Sequence, residues 1–310
     1  MGISLAVERL TLTQVGKVRI LDPQPINLIE VKLALRSDLE DKYIEANGFR
    51  IRYIQKGSGR PLICVHGVSL PISADQWTVA IDALSEHSQV YALDLPGWGL
   101  SDQPKSGYSF PMWVETIRDF CRQLGLEEVD IAGQSHGGWV AALFAYNYPR
   151  IARRLILVGS AGLNPLLPSM AGRKVELPDR EALRTHLWRE WTDNIEITEA
   201  HIDELYRRSR FDGRTEAYQS IQDYVTDLEV RDQYGLRQIL PTMQLPILVC
   251  WGDDNSGIRV RYGIEAFWLA PNARLSISYG GDHSSMGFAA PEFERAVREF
   301  LTTDELKFSK

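Results

Sequence analysis

Apolar and polar residues follow two different rhythms along this chain, and the points where one rhythm replaces the other outline its elements. Tyr43-Ile44-Glu45-Ala46, then Asn47-Gly48, then Phe49 to Ile54 predicts a hairpin, because Asn-Gly accepts the positive φ angles of a tight two-residue turn. Three short apolar runs follow, Pro61–Val65, Val90–Leu93 and Val129–Ala132, with helical patterns between them at Gln76–Ser85 and Met112–Leu124. Strand-like runs that alternate with helical ones predict a parallel sheet with helical crossovers. A fourth run, Leu155–Val158, extends the series, and the next arrives only at Pro246–Trp251.

Between those two runs the rhythm changes. Residues 166–240 are polar and aromatic, with helical stretches around Arg180–Thr192, Thr198–Arg210 and Glu216–Leu228 and no run suited to the sheet. They are expected to form a helical cap inserted into the core. The sheet pattern resumes at Pro246–Trp251 and Arg274–Ser278, and an amphipathic helix is expected over Pro291–Leu301. The fold class that results is α/β, a mostly parallel central sheet flanked by helices, with the core in residues 43–165 and 241–303. Residues 1–42, with Asp22-Pro23-Gln24-Pro25, read as an N-terminal arm. No internal repeat or low-complexity tract interrupts the order.

Composition adds exclusions. With 44% hydrophobic and 24% charged residues among 310, the chain matches packed globular proteins. A net charge of -7 disfavours a nucleic-acid partner, which would need clustered Lys and Arg, so a small-molecule substrate is expected. Cys64, Cys121 and Cys250 are too scattered for a disulfide framework or a zinc site, and Cys64 and Cys250 lie in apolar runs as buried small residues. Met1 to Ile20 carries Glu8 and Lys17 and no unbroken apolar stretch, and Ala6 occupies the position where myristoylation after Gly2 wants Ser or Thr. The expectation is a cytoplasmic protein without membrane contact, with a homodimer left open.

The chemistry is concentrated in two motifs. Val129 to Ala132 runs into Gly133-Gln134-Ser135-His136-Gly137 and directly into a helical pattern, the context of a nucleophile elbow with Ser135 as the nucleophile. The two glycines let strand and helix pass closely around a strained serine, and the helix N-terminus favours negative charge there. Near the other end, Tyr279-Gly280-Gly281-Asp282-His283 follows the last strand, where His283 is placed to act as base. His87, His186 and His201 sit in polar surroundings and read as surface. Upstream, Leu62 to Val65 ends in His66-Gly67-Val68-Ser69, at the distance expected of an oxyanion loop, so the oxyanion donors are assigned to the backbone N–H groups of Val68 and His136. His66 is expected to hold that loop. Asp94-Leu95-Pro96-Gly97-Trp98-Gly99 is expected to pack against the elbow.

These features together resemble the α/β-hydrolases from Tyr43 to Leu301. Within that superfamily the loop His66 to Trp77, Asp94 to Gly99, Gly159-Ser160-Ala161-Gly162 and Trp251-Gly252-Asp253-Asp254 are similar to the meta-cleavage-product hydrolases, which cut carbon–carbon bonds in ring-fission products. The resemblance implies a triad acid at the third residue after the glycine of Trp-Gly, and that position holds Asn255, with Asp254 beside it. It also implies a cap arginine for the substrate carboxylate, but Arg207 and Arg208 fall two or three positions late. A shorter likeness, Ser135 to Val140, is to cofactor-free dioxygenases of this fold, which take an acid from the strand before the cap; here that strand ends Val158-Gly159-Ser160-Ala161.

The expected function is therefore a serine hydrolase acting on an ester, lactone or vinylogous diketone, with Ser135 and His283 catalytic, Asn255 or Asp254 supporting the base, and no cofactor or metal. Substrate contact is assigned to Trp139, Trp188, Trp191 and Ser284, with about half of the cap aromatics expected to be the cap's own core. The alternative is a lyase, cyclase or cofactor-free oxygenase using the Ser/His pair for acid–base work. Asn255 is expected to offer its amide oxygen to His283 Nδ1–H.

Overall fold

A computed structural model describes residues 18–20, 39–165, 172–191, 197–283, 286 and 290–303. Nine strands form one sheet: β1 (Val18–Ile20), β2 (Asp41–Ala46), β3 (Phe49–Lys56), β4 (Arg60–Val65), β5 (Ser88–Leu93), β6 (Val129–Gln134), β7 (Ala152–Val158), β8 (Ile247–Gly252) and β9 (Ala273–Ser278). Their spatial order is β1-β9-β8-β7-β6-β4-β5-β3-β2, parallel throughout except where β3 pairs antiparallel with β2 and β5. Ala46 faces Phe49 across the hairpin, leaving Asn47 at φ 53° and Gly48 at φ 78° in the turn. The left-handed pair twists the way the flanking strands do, which is what Asn-Gly is for.

One strand lies outside the expected core. Val18–Ile20, within the arm, pairs in parallel register with Leu275–Ile277 of β9 and extends the sheet edge. Three residues carry too short a pattern to be read as a strand.

Helices cover both faces: α1 (Ile81–Ser85), α2 (Phe110–Gln123), α3 (His136–Asn147), α9 (Val260–Leu269) and α10 (Ala290–Thr302). Of these, α2 is capped by Ser109 Oγ, which accepts from Met112 N–H at 3.2 Å, and it buries Phe110, Trp113, Val114, Ile117, Phe120 and Cys121 as one stripe. In contrast, α3 is buried on every side from His136 to Ala145, so it shows little amphipathic periodicity. The pattern expected as a helix from Gln76 is a 3-10 turn at Ala74–Val79 followed by α1. Cys64, Cys121 and Cys250 are all buried free thiols.

Between β7 and β8 the described residues contain only helices: α4 (Arg180–Trp191), α5 (Glu199–Arg208), α6 (Arg214–Thr226), α7 (Leu228–Gln233), α8 (Leu236–Ile239) and a 3-10 turn at Leu240–Thr242. This insertion has a small core of its own in Leu183, Leu187 and Ile202. It is tied to the sheet by charge: Asp75 is bound by Arg52 of β3 at 2.8 Å and by Arg208 of α5. Burial would raise the Asp75 carboxyl, but Arg52 and Arg208 together hold it below the usual range. No helix among the described residues is long and apolar enough to cross a membrane.

Candidate active site

The chain leaves β4 toward β5 on one side and returns to place β6 on the other, so β4 and β6 are neighbours whose connections diverge. A crevice opens at the carboxyl ends of two such strands, the general location of ligand sites in open α/β sheets. Here β4 ends at His66-Gly67-Val68 and β6 ends at Ser135.

Ser135 occupies φ 53°, ψ -118°, a strained conformation for any residue with a Cβ. The glycines around it are sterically required. A Cβ on Gly133 would lie 2.1 Å from Gly137 O, and one on Gly137 would lie 2.3 Å from both His66 O and Val65 O. Ser135 N–H donates to Val158 O, which locks the turn to β7. Its side chain starts the N-terminus of α3, where the first N–H groups have no intrahelical partners. Gly67 lies against it, close enough that an added Cβ would sit 3.4 Å from Ser135 Cβ.

His66 holds the loop. Its Nδ1 is 2.8 Å from Gly67 O, and its Nε2 accepts from Leu95 N–H at 3.1 Å, so the ring carries its proton on Nδ1. Asp94 fixes the turn that follows, accepting from Ala74 N–H and Leu100 N–H. Trp98, in the same turn, packs against both His66 and His136.

A chain of buried amides runs behind the serine and was not signalled by any motif. Gly67 N–H donates to Gln76 Oε1 at 3.0 Å, Gln76 Nε2 donates to Gln134 Oε1 at 3.2 Å, and Gln134 Nε2 donates to His283 O at 3.2 Å. Each amide's orientation follows from the one before it. The loop after β4, the strand-to-helix turn at Ser135 and the backbone of His283 are thereby tied together.

His283 is flanked by glycines. A Cβ on Gly159, which sits at φ 49°, would lie 2.8 Å from His283 O, and one on Gly257 would lie 3.6 Å from His283 Nδ1. Burial pushes the His283 imidazole down to about 4, with the charge of Asp282 opposing that shift. Asn255 is buried and its Nδ2 is 3.1 Å from His283 Nδ1. Its Oδ1 accepts Ile258 N–H at 2.7 Å. Asn255 thus meets His283 with its nitrogen, whereas the expectation was its oxygen; the competing Ile258 donor lies in a loop whose folding the residue pattern does not reveal. Asp254, the alternative support, is exposed, and its backbone N–H donates to Gly281 O. Its carboxylate is not among the partners of His283 found in the described residues, because the turn after β8 points it outward.

The residues expected to contact substrate lie in different surroundings. Trp139 is fully buried, donating from Nε1 to Tyr234 O at 2.7 Å and packing 4.5 Å from Phe110, so it joins core to insertion. Trp188 is 48% exposed, because Leu183 and Leu187 take the inward face of α4 and the next position turns away. The side chain of Trp191, and Ser284, lie outside the described residues. His201, expected at the surface, is buried; its Nδ1 accepts from Thr198 N–H in a capping box. Arg207 pairs with Glu204, and Arg208 with Glu204 and Asp75, so both guanidinium groups are already ion-paired. A cavity of about 50 Å³ lies between the insertion and the loop after Val68, lined by Ile72, Ser73, Gln76, Leu187, His201 and Arg208 among others. Among the described residues there is no group of three His, Cys, Asp or Glu side chains arranged to hold a metal ion.

The family description that matches the sequence is the alpha/beta hydrolase fold, over residues 60–290. The chain belongs to that family. This alpha/beta hydrolase is 27% identical over 263 residues to the dihydrolipoyllysine-residue acetyltransferase component of the acetoin cleaving system of Cupriavidus necator, covering 84% of this chain and 68% of that protein. It is also 27% identical over 275 residues to 2-hydroxy-6-oxo-2,4-heptadienoate hydrolase of Pseudomonas putida, covering 85% of this chain and 97% of the relative. Among solved structures, the meta-cleavage product hydrolase of Pseudomonas fluorescens IP01 superimposes with a TM-score of 0.73 at 25% identity, covering 84% of this chain and 96% of that one.

Proposed function

We propose that this alpha/beta hydrolase cleaves an ester, lactone or vinylogous diketone bond of a small apolar substrate through an acyl-enzyme on Ser135. The observation that carries the reading is Ser135 itself, held at φ 53° on a strand-to-helix turn at the switch point of the sheet, beside the loop of Gly67 and Val68. Strain of this kind persists only where surrounding structure over-determines it, and it clusters at functional positions. In the proposed reaction Ser135 Oγ attacks the carbonyl carbon and passes its proton to His283, and the backbone N–H groups of Val68 and His136 receive the developing oxyanion. The alcohol or enolate departs and takes up that proton, and water then hydrolyses the acyl-enzyme to release the acid and free Ser135. The relatives named 2-hydroxy-6-oxo-2,4-heptadienoate hydrolase and meta-cleavage product hydrolase support the vinylogous diketone among these classes. The ion-paired Arg207 and Arg208 support a substrate that needs neither of them for a carboxylate.

In this reading the helical insertion acts as a cap.

The test is covalent. A fluorophosphonate should add one equivalent to the native chain and none to Ser135→Ala, and the same substitution should remove ester turnover by at least roughly a thousandfold. Retention of a tenth of the turnover in Ser135→Ala would overturn the nucleophile.

A further inference from the structure

We infer that Asn255 acts as a tautomer latch: it holds the proton of neutral His283 on Nε2, so the resting site offers a hydrogen-bond donor where a serine hydrolase normally offers a base. Three linked contacts carry the argument. Trp251 Nε1 donates to Ile258 O at 2.7 Å, which anchors the turn after β8. Ile258 N–H donates to Asn255 Oδ1 at 2.7 Å, which fixes which end of the amide is oxygen. The other end, Nδ2, stands 3.1 Å from His283 Nδ1. An amide nitrogen only donates, so the ring nitrogen facing it must present a lone pair, and a neutral imidazole with bare Nδ1 carries its proton on Nε2.

The groups around the ring leave this arrangement unopposed. Gly159 and Gly257 contribute no side chain on either side, and Gln134 Nε2 is spent on the backbone carbonyl of His283. Asp282 adjoins His283 in sequence, and its Oδ1 is buried without a hydrogen-bond partner among the described residues, so that oxygen is not bonded to Nδ1. Turning the Asn255 amide by half a rotation would give Nδ1–H an acceptor, but it would set two donors, the amide NH₂ and Ile258 N–H, against each other. An unmet buried donor disfavours that state by about tenfold to hundredfold in population. Only that minority state has the bare Nε2 needed to take the Ser135 proton. An aspartate at this position would accept from Ile258 N–H with one oxygen and from His283 Nδ1–H with the other, and the conflict would vanish.

The catalytic consequence rests on the Ser135 and His283 assignment above; the tautomer does not. In the full chain carrying ¹⁵N-labelled histidine, two-bond ¹H–¹⁵N correlation spectra distinguish the two neutral tautomers, with His283 assigned by its loss in His283→Gln. The native chain should show the Nε2–H form near pH 7. Asn255→Asp should show Nδ1–H, and its rate of fluorophosphonate addition to Ser135 should rise at least about tenfold. A native spectrum with Nδ1–H would overturn the latch and leave the nucleophile untouched, and it decides the matter even if Asn255→Asp fails to fold. Equal labelling rates despite a switched tautomer would overturn the latch as a brake on Ser135. If the tautomer switches and neither chain is labelled, the latch stands and the nucleophile assignment falls.

Discussion

Ser135 and its neighbours show how much local conformational energy is committed to one side chain. At φ 53°, ψ -118° the backbone is in a region that glycine enters freely and serine does not. Replacing Ser135 with Gly should therefore stabilise the chain by about 1–2 kcal/mol while removing turnover, as expected where strain is held at a functional position. Urea unfolding of the two proteins measures this directly, and a Gly variant less stable than the parent would show that the serine side chain contributes more packing than its strain costs. The glycines tell the complementary story. Gly133, Gly137 and Gly159 are required by contacts of 2.1, 2.3 and 2.8 Å that an added Cβ would make with backbone oxygens. The first two were legible from their spacing around Ser135, whereas Gly159 is explained only by His283, far away in sequence.

At the scale of elements, the junction between α5 and the sheet is the informative one. Arg208 on α5 and Arg52 on β3 share Asp75, with Ser73 Oγ donating to the same carboxylate at 2.7 Å. Hydrogen bonds to a charged group are each worth roughly 1.5–3 kcal/mol, and Asp75 is the one acceptor common to all three. Asp75→Asn should lower global stability by about 1.5–3 kcal/mol and should raise hydrogen exchange in Glu199–Arg208 by more than it does in β6. If exchange rises equally in both, Asp75 serves the core alone and does not latch the insertion. The fate of the tryptophans follows from the same geometry. Trp188→Ala should leave the ranking of substrates unchanged, because nearly half of its surface faces solvent; a reordered ranking would return it to the pocket.

For the whole molecule, the buried imidazoles predict how stability depends on pH. Burial lowers His283 to about 4 and His136 to about 3, and it lowers His66 as well. In the unfolded chain each ring titrates near 6.5. Between that value and the folded ones the unfolded state binds more protons, so stability is highest above about pH 6.5 and falls steadily as the pH drops toward 4. Asp75, whose folded carboxyl is held low by Arg52 and Arg208, adds a further loss below about pH 4. The urea midpoint should decline from pH 7.5 to pH 5, and His136→Leu should flatten part of that slope. A midpoint constant over that range would mean that these rings take up protons in the folded chain as readily as in the unfolded one.

The sequence by itself determined the alternation of strands and helices, the Asn-Gly hairpin, the long helical excursion between β7 and β8 and the two segments that carry Ser135 and His283. Each of these is encoded locally, as a period, a turn residue or a spacing that neighbouring residues impose on one another. Tertiary structure alone decided three other matters. It decided that residues 18–20 join the sheet edge, since their partner β9 lies more than 250 residues on. It decided that Gln76 and Gln134 connect the loop after β4 to His283, because a lone glutamine carries no periodic or spacing signal. Above all, it decided which atom of Asn255 meets His283: that depends on a backbone N–H three residues away whose direction is set by the turn, and amide polarity is visible only once every donor around it has been placed.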